Sequence, residues 1–420
     1  MKTAYRMILV FAILSVLVSC RNNVKVASGP DPVFEKPAPL KMASLNGKEI
    51  RGVEANEVSD YQPGHYKEVI PNTPPHADHN PHRSLIVKWQ KYPDQMFVFN
   101  HEASYCPWLE LPGGLGLSNQ FFEGNDGYAE LFNEKGRRER NSFVDIIRSG
   151  PDNVWIRWNY FAVNVNSDSL PALRGTEDYV AYPNGLVWRR LTYTSLMPDT
   201  LVGYSWQPVD FFAIAPSGTE WRDLFPKDAQ HNDYLISSVI DIYSEKQYDV
   251  FWDDNGNPRR NGSNELLWEI SKSKGIAMVM TAREGNIFVI FGESSGFPVE
   301  KNQIVDHSFP GNGGWDWKSD RWDHWPVGWL NAQGHAYAPG SKYPYSFGPL
   351  SHYWVNSRLV KGGDYFVNSK DMDLNRWSEK QVYYTLVGVA KDFQTIRTMG
   401  KKWLDKGSLC ATPESIEDIR

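Results

Sequence analysis

The sequence predicts an all-β protein, a large antiparallel β-sandwich with one C-terminal helix. Three observations lead there. In Asn153–Val165, Val154, Ile156, Trp158 and Tyr160 alternate with Trp155, Arg157 and Asn159, the two-residue period of a half-buried strand. Turn chemistry separates such runs at hairpin spacing, at Pro183-Asn184-Gly185, Asn255-Gly256 and Glu284-Gly285. Helical periodicity is confident only from Asp392 to Gly407, where Phe393, Ile396, Met399 and Leu404 recur on one face behind a capping aspartate. No unit of 20–50 residues repeats, so a propeller or solenoid is not indicated.

The chain opens on a basic start, Lys2 and Arg6, followed by an apolar run from Ile8 to Val18 and then Leu17-Val18-Ser19-Cys20. A run this short reads as a secretory signal and not as a spanning helix. Its last four residues resemble the lipobox of bacterial lipoproteins. That resemblance implies cleavage after residue 19, lipidation of Cys20 and attachment to the cell envelope. Asn22, which is not aspartate, points to the outer membrane. Residues 20–41 are polar, with Pro30, Pro32, Pro37 and Pro39, the composition of a tether. Residues 42–420 show no clean break in composition and read as a single domain with ample length for a core. The net charge of −6 carries no basic footprint for nucleic acid. Besides Cys20 there are only Cys106 and Cys410. They can form one disulfide in an oxidising envelope, and their spacing does not decide it.

Taken in order, Met42 to His82 reads as irregular. Its His76, His79 and His82 are spaced by three, but Pro74, Pro75 and Pro81 argue against the helix that would gather them on a metal, and a surface loop is the better reading. Leu85–Trp89 and Gln95–Asn100 read as strands, the second delivering Asn100, His101 and Glu102 at its end. A Gly-rich loop then begins at Cys106. Its Gly113, Gly114 and Gly116 lack the Lys-Ser/Thr pair of a phosphate loop and read as turn glycines. Tyr128–Phe132 and Phe143–Ile147 read as strands around a charged turn at residues 134–141. Glu177–Tyr182 and Leu186–Thr194 form a hairpin, and Val209–Ala215 reads as a further strand. Trp221–Tyr234 is irregular or briefly helical. Asp253 to Asn257 has oxygen ligands at alternating positions but lacks the rest of a calcium loop, so it reads as a hairpin turn. Gly275–Ala282 pairs with Asn286–Gly292. Asp364–Asn368 and Val382–Ala390 precede the helix.

One stretch, His307 to Tyr353, fits neither period and concentrates chemistry. It carries His307, His324, His335 and His352 together with Arg321 and five tryptophans, Trp315, Trp317, Trp322, Trp325 and Trp329. Long irregular segments in compact proteins are functional or disordered, and disordered segments are poor in aromatics. Core packing accounts for some of these tryptophans. However, Asp316, Lys318, Asp320 and Asp323 interleave with them, which core segments rarely tolerate, so one or two are expected to face a ligand. Flat aromatic faces suit sugars. Taken singly, each histidine is more simply a structural residue. Together they offer a group that gives or takes a proton near neutrality. Arg321 can bind a carboxylate in bidentate fashion.

One reaction that uses this set is β-elimination in a uronic-acid polysaccharide, with His324, His335 or His352 as base, Tyr345 or Tyr353 as acid and Arg321 neutralising the uronate. Asn100, His101, Trp315, Trp317, Trp322 and Trp325 are the candidate substrate contacts. Hydrolysis instead needs two carboxyl groups flanking the bond, and no spacing among Glu102, Glu123 and Glu293 picks out such a pair. There is no nucleophile elbow and no zinc motif, and no cofactor or metal is expected. The segment Trp322-Asp323-His324-Trp325-Pro326-Val327, with the lipobox and the Trp-rich body, resembles lipoproteins that Bacteroidetes-type bacteria use on polysaccharides, and among them the ulvan-lyase group of polysaccharide lyases. The resemblance covers about fifty residues. It implies a polar loop at Asn331–His335, a Ser/His-rich segment at Ser346–His352, a supersandwich of the galactose-mutarotase type and an acidic polysaccharide as partner. Gln333-Gly334-His335 and Tyr345-Ser346-Phe347 depart from that pattern, which leaves a glycoside hydrolase or a non-catalytic glycan-binding lipoprotein as alternatives.

Overall fold

A computed structural model describes residues 51–58, 84–100, 105, 107–112, 116–118, 123–124, 142–162, 173–195, 205–209, 212–214, 221–228, 230, 232–254, 258–297, 302–306, 345–346, 349–354 and 381–420. For 100, 116–118, 123–124, 161–162, 173, 193–195, 205–209, 212–214, 221, 258, 302–306, 345–346, 349–354 and 381 it describes the backbone. The lipobox with Cys20, the tether, His76 to His82 and the expected strands at Tyr128–Phe132 and Asp364–Asn368 lie outside the described residues.

The first strands are β1 (Val53–Val58), β2 (Ser84–Trp89), β3 (Met96–Asn100), β4 (Pro107–Glu110), β5 (Gly116–Ser118) and β6 (Glu123–Gly124). Then come β7 (Ser142–Ser149), β8 (Val154–Ala162), β9 (Leu173–Ala181), β10 (Val187–Ser195), β11 (Ser205–Val209) and β12 (Phe212–Ile214). After helix α1 (Trp221–Leu224) follow β13 (Tyr234–Asp241), β14 (Gln247–Trp252) and β15 (Pro258–Arg260), then helix α2 (Asn264–Ser271). The chain ends with β16 (Gly275–Ala282), β17 (Gly285–Gly292), β18 (Asn302–Asp306), β19 (Tyr345–Ser346), β20 (Pro349–Trp354), β21 (Gln381–Ala390) and helix α3 (Phe393–Leu404).

Among the described residues these strands form three antiparallel sheets. One has seven strands in the order β1-β2-β3-β4-β5-β12-β19. A second has ten, β15-β14-β13-β16-β17-β21-β10-β9-β8-β7, and a third four, β18-β20-β11-β6. The protein is therefore all-β and antiparallel, as its alternation and hairpin turns predict. The two large sheets pack as a sandwich. Leu85, Val87, Trp89, Phe97 and Phe99 share one apolar core with Ile156, Trp158, Tyr179, Met278, Met280, Val289 and Val387. Phe97 and Phe99 each meet the Tyr179 ring, at centroid distances of 5.4 Å and 5.2 Å.

The outer face of the ten-stranded sheet is apolar at its centre as well, and α3 covers it. Asp392 caps this helix by accepting a hydrogen bond from the Thr395 amide at 2.7 Å, which satisfies an otherwise orphan N–H. Ile396, Met399, Gly400 and Trp403 form its buried stripe, at the spacing of one helix face. They pack with Ile240, Ile242, Val279, Phe288, Ile290 and Leu386. The segment after the helix closes the layer through Cys410, Ile416 and Ile419. Trp188 Nε1 donates to the Cys410 carbonyl at 2.9 Å and Trp403 Nε1 to Ser415 Oγ at 3.1 Å.

Several expectations are corrected. The segment from Met42 to His82 is not irregular throughout, because β1 pairs with β2 from Val53↔Trp89 to Val58↔Ser84; its sequence VEANEV hides Val53 and Ala55 among polar residues. The Gly-rich loop after Cys106 contains β4, buried at all four positions, and β5, in which Gly116 is a strand residue and not a turn glycine. Val209–Ala215 is not one strand: β11 and β12 end up in different sheets. The expected C-terminal helix is present as α3, and sequence reading did not pick out α2, which is capped by Ser263, whose side chain accepts from the Leu266 amide. Eight residues were too few to show a period. His307–Tyr353 does contain regular structure, β19 and part of β20. The disulfide left open by the sequence is not seen at Cys410, which is a free, buried thiol; Cys106 lies outside the described residues.

Trp403 is the anchor of the outer layer and is fully buried. Trp403→Ala is expected to cost about 3–5 kcal/mol, read as a lower urea midpoint with an unchanged slope. An unchanged midpoint would show that the helix is not a stabilising cover.

Candidate functional site

The two large sheets have unlike ends. At one end lie tight connections: residues 90–95 between β2 and β3, 150–153 between β7 and β8, 182–186 between β9 and β10, and 283–284 between β16 and β17. Gly185 turns the β9–β10 hairpin with φ +80°, a conformation that favours glycine. Trp89 Nε1 donates to the Tyr182 carbonyl at 2.8 Å, tying the tight ends of both sheets together. At the opposite end β3 finishes at Asn100, β8 at Ala162 and β10 at Ser195, while β7 begins at Ser142, β9 at Leu173 and β21 at Gln381. The strands of the ten-stranded sheet enter or leave the longer connections 125–141, 163–172, 196–204 and 355–380 at this end. Loops on a rigid scaffold are where binding and catalysis concentrate.

Of the predicted site residues, His324, His335, Arg321, His101, Trp315, Trp317, Trp322 and Trp325 lie outside the described residues. Asn100, Tyr345, His352 and Tyr353 are fixed in backbone register. Asn100 pairs with Ser84 at the end of β3. Tyr345 pairs with Ala213 on β19, the edge strand of the seven-stranded sheet. His352 and Tyr353 belong to β20, an inner strand of the four-stranded sheet. The backbone thus assigns Tyr345 to a different sheet from His352 and Tyr353.

His352 pairs with Gln303 of β18. On its other side the register with β11 breaks between Trp206, opposite Tyr353, and Val209, opposite Ser351. The bulge at Gln207–Pro208 therefore faces the His352 position, and Gln207 pairs onward with Glu123. A row of carboxylate, amide, imidazole and amide positions crosses the four strands. β-Bulges recur beside active sites, where they re-aim side chains. Consecutive strand positions alternate between faces, so His352 and Tyr353 occupy opposite faces of this sheet.

Inside the sandwich, midway along β8, β9 and β10, lies a polar cluster that sequence reasoning missed. Glu177 and Arg189 are fully buried and joined at 2.6 Å. Tyr160 Oη donates to Glu177 at 2.8 Å, and Tyr179 Oη donates to its other oxygen. Alongside, Trp158 Nε1 donates to Ser142 Oγ at 2.6 Å. Burial alone favours a neutral Arg189, but the Glu177 carboxylate, backed by Tyr179 and Tyr160, outweighs it and keeps the guanidinium charged. With both tyrosine hydroxyls committed to Glu177, the cluster ties β8, β9 and β10 together across their middle. The available signal was an Arg among Val187, Trp188 and Leu191, on the strand beside the acidic pair Glu177-Asp178.

The outer face carries a second cluster at the same level. Asp178 accepts from Arg157 Nε and Trp155 Nε1, both at 2.8 Å, and from Arg190. Asp178 is itself buried, whereas Arg157 and Arg190 are about one-third exposed. Burial pushes the Asp178 carboxyl up, but the hydrogen bonds from Arg157, Arg190 and Trp155 prevail and hold it below the usual carboxylate range. Among the described residues no group of His, Cys, Asp and Glu could hold a metal ion. No helix among them is long and apolar enough to cross a membrane.

Two predictions follow from these clusters. Arg189→Met, which strands a buried carboxylate, is expected to cost about 3–5 kcal/mol. Adding Glu177→Gln should recover part of that loss, because it removes the charge and keeps an acceptor for the tyrosines; a double variant no more stable than the single one contradicts the assignment. A carboxyl held below its unfolded pKa adds stability that is complete above that value, about 3.9, and disappears as pH falls through the folded value. Asp178→Asn should therefore be less stable than the parent at pH 7, with the gap closing below about pH 4 in denaturation series. A gap that persists at lower pH counts against the ionic role.

No protein-family model and no curated protein sequence matches the chain. Among solved structures it is similar to galactose 1-epimerase from Lactobacillus acidophilus NCFM, at 8% identity over 80% of this chain and 99% of that one, with a TM-score of 0.31. A likeness of that size carries no argument about activity.

Proposed function

We propose that this chain is a lipid-anchored, carbohydrate-active envelope protein that cleaves a uronic-acid-containing polysaccharide by β-elimination. The observation that carries the reading is the register of β20: His352 stands opposite the Gln207–Pro208 bulge, in a row with Gln303, Gln207 and Glu123. An imidazole among amides and a carboxylate suits a ligand rich in hydroxyls. The likeness of Trp322–Val327 to the ulvan-lyase group supports the same chemistry.

In this reading Arg321 pairs with the uronate carboxylate and lowers the cost of charge building on the adjacent ring carbon. His352 takes the C5 proton. The C5–H electrons become the C4=C5 double bond, the C4–O bond breaks, and the departing oxygen receives a proton. Tyr345 and Tyr353 are the candidate donors. His324 and His335 are the alternative bases, and Trp315, Trp317, Trp322 and Trp325 provide sugar platforms with Asn100 and His101. Cys20 supplies the anchor, and the acidic polysaccharide is the partner.

Incubation with ulvan, polygalacturonate and alginate should produce the ultraviolet band of an unsaturated uronate with at least one of them. His352→Ala should reduce the rate by about 10²-fold or more. Full activity in that variant removes His352 as the base. New reducing ends without the band would mark a hydrolase, and retention without cleavage would mark a glycan-binding protein.

A further inference from the structure

The outer face of the ten-stranded sheet changes character beyond its apolar cover. Next to Trp155, Val180 and Trp188, which belong to the apolar layer, comes a cross-strand row of Arg157 on β8, Asp178 on β9, Arg190 on β10 and Tyr384 on β21. Asp178 is buried, but the side chains of Arg157 and Arg190 are 34% and 37% exposed. A row of neutral polar positions follows, Asn159, Thr176 and Thr192. In it Thr176 Oγ1 donates to Asn159 Oδ1 at 2.9 Å.

The charges of this row do not cancel. Asp178 Oδ1 accepts from Trp155 Nε1 and Arg157 Nε, and Oδ2 accepts from Arg190 Nε and Nη2. A carboxylate has about four acceptor sites, so Asp178 is saturated. Arg157 uses only its Nε there and lays its guanidinium 5.4 Å from the centre of the Trp155 ring. Both Nη groups of Arg157 and Nη1 of Arg190 keep their donors, with no partner among the described residues. The remaining charged positions of this face are Asp145 opposite Arg157, Arg148 opposite Trp155 and Arg174 opposite Phe161. Four arginines thus stand against two aspartates among the described residues. The surplus is local, because the chain as a whole carries −6.

We infer that this face is a secondary binding surface for an acidic polysaccharide, with Arg157 and Arg190 engaging its carboxylates and the Asn159–Thr176–Thr192 row meeting its hydroxyls. A guanidinium presents paired N–H donors that match a carboxylate. Asp178 and the Trp155 ring hold the arginines in place before a ligand arrives, which lowers the ordering cost of binding. The two arginines stand two strands apart, about 10 Å between backbones, so the row suits an extended chain lying across the strands. A nucleic acid carries a phosphate on every unit and would want further cations where this face turns to amide and hydroxyl. That the carboxylates are uronates rests on the function proposed above; the surplus charge and the free donors do not.

The test is affinity electrophoresis of the whole protein through gels containing polygalacturonate, alginate or ulvan, with neutral galactomannan and single-stranded DNA as controls. At least one uronate polymer should retard the protein, and less so as salt rises. Arg157→Gln should weaken that binding about tenfold or more, the worth of a hydrogen bond to a charged group. Its melting temperature should stay close to the parent's, because Arg190 and Trp155 still hold Asp178. Arg157→Lys, which keeps the charge, should bind better than Arg157→Gln. The inference is overturned if none of the three polymers retards the parent, if both Arg157 variants are retarded as the parent is, or if galactomannan or DNA retards it as strongly. Retardation that depends on Arg157, with no unsaturated product, keeps this surface and removes the lyase. Cleavage with retardation that ignores Arg157 does the reverse.

Discussion

The structure depends on covering both faces of its ten-stranded sheet. Every residue of β16, GIAMVMTA, is buried, so its alternate side chains need an apolar partner in each direction. The seven-stranded sheet meets one set and α3 the other. Neither cover is optional, because exposing one face of a central strand returns several large side chains to water, at roughly 1.5–3 kcal/mol each. The outer cover stops short of the lower parts of β8, β9 and β10. There Arg157, Asp178 and Arg190 take over the outer face in cross-strand register, and a polar ladder can face solvent where an apolar one cannot.

This two-sided burial also explains the unlike ends. A register slip of one residue would exchange inner and outer side chains along a whole strand, so the hairpins must be pinned, and the tight turns at one end do that. The opposite end is left to connections of variable length, which the sheets hold apart at fixed spacing. Long loops there cost little in closure entropy once their ends are positioned. A pocket lined by Tyr92, Gln95 and Arg420 has the converse origin. Turns from both sheets and the chain after α3 converge at the tight end without filling the space between them.

What was legible in the sequence follows from this burial pattern. Half-buried strands such as β8 announce themselves by alternation, and α3 by its cap and stripe. β1 was hidden because it buries Asn56 beside Val53 and Ala55, and β4 because proline and glycine surround four buried residues. The His352 strand sits in a stretch broken by Gly348 and Pro349, where no period can develop, so the histidine was legible and its setting was not. The Gln95 pocket was not legible at all. It gathers residues from positions 91 to 420, and no local pattern encodes such a meeting.

The Glu177–Arg189 pair shows why a charge can sit in such a core. Replacing a buried ion pair by apolar residues is often neutral or favourable, so stability alone does not account for it. Its neighbours suggest a directional role. Arg189 lies directly opposite Tyr179 and reaches diagonally to Glu177, which also receives the hydroxyls of Tyr160 from β8 and Tyr179 from β9. Hydrogen bonds from three strands converge on one carboxylate, and each has a narrow range of length and angle. An apolar contact tolerates a shift of an ångström, whereas this cluster does not. The same strands carry the connections at 163–172 and 196–204, so a fixed relative position of β8, β9 and β10 is also a fixed spacing for the loops that they present.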